Sequence, residues 1–478
     1  MKHCTCTNVI ALGLFIVLFW ASEPIGAAEV IVPDEMKNAT IQVSTGLPPQ
    51  PYKDEWRRSC PDFLVFHPAP DGNPRWKDDD FCVLSEHFIV VPMEGNRLLA
   101  TWTSHGPRLA FSRIMVARSE NGGQSWGTPS VVAGGRGCSA RWSVVVVSPR
   151  GRVYLFFCTY PHGAGKYAEA KLTCRTSDDS GKTWSAATAL PLRSSTVDAP
   201  NRLPHFIAWR QPEWDLEGRP LLGFTRVGTN AKLTGRHAKR KWCQSECFRI
   251  DNLDQAPDPA DLVFSYLPAD VDDALTVPQP DEPEMSWANE PSFVSLPDGR
   301  AFVAMRTRTG RLYYSVGAAD GTFSQPAVMR YRDDGAEILQ PGSPALLFRL
   351  DRERYLLVFN NNDGTAFGAA ETHDPRNRRP CYLALGRFTP QAHQPLRFSD
   401  PLLFLDNDGI PLDVAGNEPR YEAAAYGSLT PAEDGYVLWY PDRKHFLLGK
   451  RIPEALLRAM EGQEDTHTTN SARPGEVR

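Results

Sequence analysis

The chain has 478 residues, and its 52 basic and 57 acidic side chains nearly cancel. With no basic stripe it is not built to hold nucleic acid, and no stretch approaches the roughly 18 apolar residues of a membrane span. Its length admits one large all-β domain or two to three ordinary ones.

The first element is a removable address. Lys2 and His3 precede an apolar run from Val9 to Trp20, and the small residues Gly26, Ala27 and Ala28 follow. That order reads as a signal peptide over residues 1–28, cleaved near Ala28, so the mature chain is expected outside the cell or in the periplasm, without a membrane anchor. Residues 29–84 form a lead-in segment. Of ten cysteines, Cys4 and Cys6 leave with the signal. Export permits disulfides, and Cys60–Cys82 or Cys243–Cys247 are candidate pairs, although spacing fixes no connectivity. Zinc is the other reading of the Cys243 and Cys247 pair, but no His or second Cys pair stands nearby at ligand spacing.

From residue 85 to 450 one pattern recurs: an apolar strand, a tight polar turn, and a second apolar strand. Its copies are His87–Trp102 around Gly95, Trp142–Tyr160 around Gly151, and His205–Arg226 around Gly218. Pro291–Arg306 around Gly299, Ala345–Asn360 around Asp351–Arg354, and Ala425–Tyr440 around Gly435 complete six. Flanks such as Val153-Tyr-Leu-Phe-Phe are β-branched and aromatic, as buried strands are. Turn-to-turn steps of about 54 to about 82 residues leave room for a hairpin and two outer strands, which makes a four-stranded blade. Two separate sandwiches have similar strand content, but not one hairpin repeated along the whole chain. The expected fold is all-β, a six-bladed β-propeller. Residues 451–478 close the chain as a short helix and a polar, disordered tail.

A second repeat lies between the hairpins. Ser177 to Trp184 reads S-x-D-x-G-x-T-W, and Ser119 to Trp126 repeats it with Asn121 for Asp and Ser125 for Thr. Ser315 to Phe323 is a worn copy. The Asp or Asn side chain bonds the backbone of its own turn, so the motif is structural. These segments resemble the Asp boxes of the sialidase superfamily, whose fold is the same propeller.

Opposite the turns, the strand ends of all six blades converge. They carry Glu86, His87 and His105 from blade one, Arg141 from blade two, Glu290 and Arg306 from blade four, and Tyr426, Tyr440 and Asp442 from blade six. Such a ring of polar ends around apolar strands suggests a pocket at the mouth of the fold.

Here the resemblance to sialidases implies roles. The segment Glu290-Pro-Ser-Phe to Ala-Met-Arg306 is similar to the family's fourth blade, which carries a catalytic Glu and a substrate-binding Arg. Tyr426 in Ala424-Ala-Tyr-Gly-Ser-Leu-Thr430 stands where the family has its catalytic Tyr. Asp442 matches the acidic residue that ends that blade, and Arg379 is the candidate for a further Arg on blade five. Two positions depart from the family. Ser85-Glu86-His87-Phe88-Ile89 lacks the Arg that binds the sugar carboxylate, and Trp102-Thr-Ser-His105-Gly-Pro lacks the acid/base Asp. Arg141 offers a guanidinium from the next blade, and His105 titrates in the right range for proton transfer.

The expected activity is that of a sialidase-like glycoside hydrolase cleaving terminal acidic sugars. Tyr426 is its nucleophile, since sialidases use a tyrosine, Glu290 the base for that phenol, and His105 the acid/base. Arg306, Arg379, Arg141, Glu86, His87, Asp442 and Tyr440 line the substrate. A glycan is the expected partner, with no cofactor, no metal, no nucleic acid and a monomeric state. A propeller lyase or hydrolase for an acidic polysaccharide, using His and Tyr, and a non-catalytic carbohydrate-binding propeller are the other two readings.

Overall fold

Five of the six expected hairpin turns carry a glycine in the left-handed region, Gly95, Gly151, Gly218, Gly299 and Gly435, with φ between 70° and 86°. Each joins two antiparallel strands, and in the computed structural model each hairpin is the inner half of its own sheet. The structure describes residues 41–73, 84–106, 111–161, 170–199, 205–208, 210–229, 242–369, 371–413 and 418–461. The expected signal peptide, Cys82 and the tail beyond 461 lie outside them.

Blade one runs Leu84–Pro92, Leu98–His105, Ser112–Ser119 and Ser130–Gly134, and blade two Cys138–Val147, Val153–Pro161, Lys171–Ser177 and Thr188–Leu190. Blade three has His205–Ala208 and Glu213–Trp214 along one edge of Pro220–Val227, then Cys243–Ile250 and Phe264–Leu267. Blade four is Asn289–Ser295, Ala301–Arg306, Tyr313–Gly317 and Ala327–Val328. In blade five Leu346–Arg349, Arg354–Phe359 and Cys381–Phe388 are followed by Leu396–Phe398, with Leu402–Leu405 also on the third strand. Blade six takes Ser428–Pro431, Tyr436–Asp442 and Phe446–Ile452 from the end of the chain and Phe63–Phe66 from its beginning. The lead-in segment thus supplies an outer strand, pairing Phe63 with Gly449 and Leu64 with Leu448, and the ring is closed by both ends of the chain.

The core lies between blades, because a sheet buried on both faces needs a neighbour on each side. Blades one to three share one apolar layer around Val145, Leu155, Phe156 and Phe248. Blades five and six share another, onto which the helix Glu454–Glu461 docks Leu456, Leu457 and Met460. Trp439 of blade six packs against Phe63 and Trp126, joining blade one to the closing strand. Full burial of side chains of this size contributes about 1.5–3 kcal/mol each.

The two S-x-[DN]-x-G-x-[TS]-W segments link the third and fourth strands of blades one and two. Asp179 accepts N–H bonds from Lys182 (3.0 Å) and Thr183 (2.9 Å) and an O–H bond from Thr183 (2.6 Å), while Ser177 Oγ accepts the Gly181 N–H (2.8 Å). Ser119 and Asn121 repeat this pattern. The glycine is dictated by contact: a Cβ on Gly123 would stand 2.6 Å from the Trp439 ring, and one on Gly181 2.9 Å from Leu99.

One expected disulfide does not form. Cys247 is a free thiol four residues from Cys243 on a single strand. That spacing separates their Cα atoms by about 13 Å, beyond the reach of a disulfide.

Candidate active site

The inner strands of blades one, two and four begin with the same irregularity. Their registers slip between Glu86 and Ile89, between Arg141 and Val144, and between Asn289 and Ser292. Inside these slips His87, Trp142 and Glu290 adopt positive φ (53°, 57° and 44°), and on blade six Tyr426 does so at 71°. None is glycine, so each conformation costs about 1–3 kcal/mol and persists only because neighbours enforce it. Threonines of the preceding blades do part of this. Thr103 Oγ1 accepts the Trp142 N–H at 2.8 Å, and Thr225 Oγ1 accepts the Glu290 N–H at 2.6 Å. The Phe88 N–H donates to the Tyr426 carbonyl at 3.1 Å, joining blades one and six. A bulge re-aims a side chain off the sheet, and here it aims Glu290 at the cavity that Tyr426, two residues ahead of its strand, also lines.

That cavity, of about 450 Å³, takes its lining from expected residues of four blades: Glu86, His87 and His105, then Arg141, then Glu290 and Arg306, and Tyr426. Tyr426 Oη donates to Glu290 Oε1 at 3.4 Å, and Arg306 Nη1 donates to the same oxygen at 2.7 Å. Arg306 Nη2 reaches the Gly342 carbonyl at 2.6 Å. Burial, and then the Glu290 carboxylate beside it, push the Tyr426 phenol above its ordinary value. Glu290 Oε2 is buried with no hydrogen-bond partner among the described residues, which leaves it able to take a proton. Beneath the pair, Arg210 donates to Ser292 Oγ at 3.0 Å and to the Ala345 carbonyl, and burial lowers its guanidinium to about 9.

On the blade-one side, His105 Nε2 lies 2.9 Å from Glu86 Oε1 and Nδ1 2.8 Å from Ser112 Oγ, so both ring nitrogens are engaged. Burial lowers His105 below the ordinary histidine range, with Glu86 opposing the shift. Burial alone would raise Glu86, yet Lys444 and the hydrogen bond from His105 hold its carboxyl well below the usual range. His87, packed 4.5 Å from the Tyr426 ring centre, is pushed down to about 3 by burial and is a neutral wall of the site.

Three expected substrate residues lie elsewhere. Arg379 turns into a buried pair with Asp406 and stacks on Phe367, and its neighbour Arg378 lines the cavity instead, donating to the Gly342 and His373 carbonyls. Arg378 caps the turn Pro375–Asn377 (φ −88°, ψ 37°) and Arg379 follows it in the same loop, so different partners hold the two neighbours. Asp442 is fully buried, accepting from Arg443 Nε (2.9 Å) and Asn407 (3.0 Å). Tyr440 is equally buried, its hydroxyl 2.7 Å from Ser59 Oγ. Ser59 of the lead-in segment holds Tyr440, and Arg443 and Asn407 hold Asp442, contacts that the hairpin repeat does not reveal.

The sequence reading also missed Lys444, Arg378, Arg420 and Trp287, all on the cavity wall. Arg308 stacks 3.8 Å over Trp287. Counting wall residues, six cations (Arg141, Arg306, Arg308, Arg378, Arg420 and Lys444) face three carboxylates (Glu86, Glu290 and Glu418), an excess of positive charge.

Residues 96–207 match the BNR repeat-like domain family. No curated protein matches the chain. Among solved structures, the NanB sialidase of Streptococcus pneumoniae (K499G mutant) is 12% identical, with a TM-score of 0.54 over 82% of this chain and 70% of that one. The intramolecular trans-sialidase of Ruminococcus gnavus is 13% identical, with a TM-score of 0.53 over 82% and 97%. A Dyadobacter fermentans protein of unknown function is 11% identical, with a TM-score of 0.53 over 82% and 96%. The chain carries a BNR repeat-like segment within a six-bladed β-propeller, the fold of these sialidases.

Proposed function

We propose that this is an exported, sialidase-like glycoside hydrolase that removes terminal acidic sugars through a covalent bond to Tyr426. The observation that carries the reading is the strained Tyr426–Glu290–Arg306 contact on the cavity wall, where a phenol meets a buried carboxylate oxygen at 3.4 Å. A phenol is a weak nucleophile until a base takes its proton. In the proposed step the Tyr426 O–H bond breaks toward Glu290, the phenol oxygen bonds the anomeric carbon, and the glycosidic C–O electron pair leaves with the aglycone oxygen. Arg306 keeps Glu290 oriented. The excess of cations favours an anionic sugar, and a neutral phenol is not repelled by it as a carboxylate nucleophile would be.

The aglycone oxygen needs a proton, and His105 supplies it once Nε2 exchanges Glu86 for that oxygen. Glu86, Arg141 and Lys444 are the charges that face this ring. Because burial lowers His105, its protonated form is confined to acid pH. Cleavage of a sugar–sugar bond is therefore expected to fall as pH rises toward neutrality, while an aryl glycoside, which leaves without help, holds its rate there.

The deciding experiment incubates the secreted protein with methylumbelliferyl sialoside, uronides and neutral hexosides, then with difluorosialic acid followed by peptide mass mapping. Turnover of an acidic glycoside and a label on Tyr426 are expected. Failure on every acidic glycoside, or a label on Glu290, would remove this reading.

A further inference from the structure

The turn between Tyr436–Asp442 and Phe446–Ile452 consists of Arg443 and Lys444 at its centre, both at φ 51°. A hairpin turn with two left-handed residues normally takes Asn or Gly. Here two long cations occupy it, and the structure shows what holds them. The fully buried Arg443 donates to Asp442 through Nε and Nη2, to the Glu55 carboxylate at 2.7 Å and to the Glu55 carbonyl at 2.8 Å. Glu55 belongs to the lead-in segment and is gripped in turn by Arg58 (3.0 and 2.8 Å). From the other side the Ser85 N–H donates to the Lys444 carbonyl at 2.7 Å.

Arg443 is thus drawn into the core, and Lys444 is directed onto the cavity wall. Its Nζ lies 2.8 Å from Glu86 Oε2, 4.0 Å from Glu422 Oε1 and 5.0 Å from the centre of the Tyr426 ring. Neutralising Glu86 alone would not require a cation over that ring, since any lysine on blade one could pair with it. A cation fixed on the ring of a phenol that loses its proton has a further use: the phenolate is formed in a buried site, where a charge without compensation is costly.

We infer that Lys444 is a positioning residue for the nucleophile, its ammonium stabilising the negative charge that Tyr426 gains when its proton passes to Glu290. The lead-in segment enters this role through Glu55 and Arg443, which fix the turn. The inference rests on Tyr426 as nucleophile, and the test separates the two claims.

Wild type, Lys444→Met, Lys444→Arg and Glu55→Gln are compared on methylumbelliferyl sialoside and on its methyl ester, and for the rate of labelling by difluorosialic acid. Lys444→Met is expected to lower kcat and the labelling rate about 10- to 100-fold with KM within about twofold, on both substrates. Lys444→Arg should restore most of the rate, and Glu55→Gln should lower kcat to a lesser degree by loosening the turn. Should Lys444→Met not fold, Lys444→Gln takes its place in the same measurements. Equal labelling rates in wild type and Lys444→Met would overturn the inference. So would a rise in KM confined to the free acid, which would make Lys444 a ligand of the substrate carboxylate. A wild type that cleaves the sialoside yet carries no label on Tyr426 would instead defeat the nucleophile assignment beneath it.

Discussion

The same six inner hairpins end in two cavities, and the two ends solve one backbone problem differently. At the turn end, where the wall includes Val91, Val145, Trp214 and Phe348, the positive-φ positions of the hairpins belong to glycines with open space around them at Gly95, Gly151, Gly218 and Gly299. At the strand end the positive-φ positions belong to His87, Trp142, Glu290 and Tyr426. Glycine makes such a conformation inexpensive, whereas a large side chain has to be held in it. The turn-end cavity is the larger, about 620 Å³ against 450 Å³, and mostly apolar. Size would select the turn end. Strain combined with convergent charge selects the strand end, and that combination is the more informative sign of a working site.

If the strand end is where the chemistry lies, the largest effect in the molecule belongs to Tyr426 and Glu290. Tyr426→Phe keeps the ring and its packing on His87 but removes the attacking oxygen, and kcat on an acidic glycoside is expected to fall by several orders of magnitude. Glu290→Gln should slow the same step, and the double variant should be little worse than either single one, because residues acting in one step are not additive. Single-turnover kinetics on the four proteins measures this. Near-normal turnover by Tyr426→Phe would shift the chemistry to His105 and favour the lyase reading.

The turn end should answer to a pH titration of stability and not to kinetics. Glu213 sits there, accepting the Arg349 N–H at 3.2 Å, and burial pushes its carboxyl up to about 7. The folded state therefore keeps a proton that the unfolded chain releases near 4.5. The stability this gives is complete below that pH and is lost as pH rises through about 7. Glu213→Gln removes the titrating group, so the variant should gain about 1–2 kcal/mol over wild type at pH 8 and almost nothing at pH 4.5. The full shift would give more, but the side chain is only partly covered and water screens it. Urea melts at the two pH values measure the difference, and a variant whose advantage does not grow with pH would show that Glu213 titrates normally. Its kcat should match wild type.

The sequence made the turn end almost fully legible and the strand end only in part, for a physical reason. Glycine at a hairpin turn is a local signal, and so is the alternation of strand residues, so the six repeats and their turns fall where the sequence places them. Glu290, Arg306 and Tyr426 could be placed at the cavity because each opens or ends a repeated strand. Lys444 could not, since it lies in a three-residue turn outside the repeated hairpin and reaches the cavity only because Arg443 binds Glu55, nearly four hundred residues earlier in the chain. Arg378 and Arg379 illustrate the finer difficulty: both are arginines in one loop after the turn Pro375–Asn377, and only tertiary contacts (Gly342 for the first, Asp406 for the second) decide which lines the cavity.

The smallest expected effect tests whether the Ser119–Trp126 and Ser177–Trp184 segments, between the outer strands of blades one and two, stand apart from both cavities. Asp179 accepts three bonds from Lys182 and Thr183, and the Thr183 hydroxyl and N–H hold its carboxyl far below the usual range. Those bonds lie at the surface, where water replaces them readily, so Asp179→Ala should cost only about 1 kcal/mol. That contribution is present near neutrality and disappears as pH falls below the ordinary Asp range, because the unfolded chain takes up the proton first. Asn121, which makes the equivalent bonds in blade one without a charge, supplies the control: Asn121→Ala should cost a similar amount with no dependence on acid pH. Denaturant melts of both variants at pH 7 and pH 3 distinguish the two. A loss above about 3 kcal/mol, or a lowered kcat in folded Asp179→Ala, would mean that the segment reaches the cavity through contacts the structure does not show.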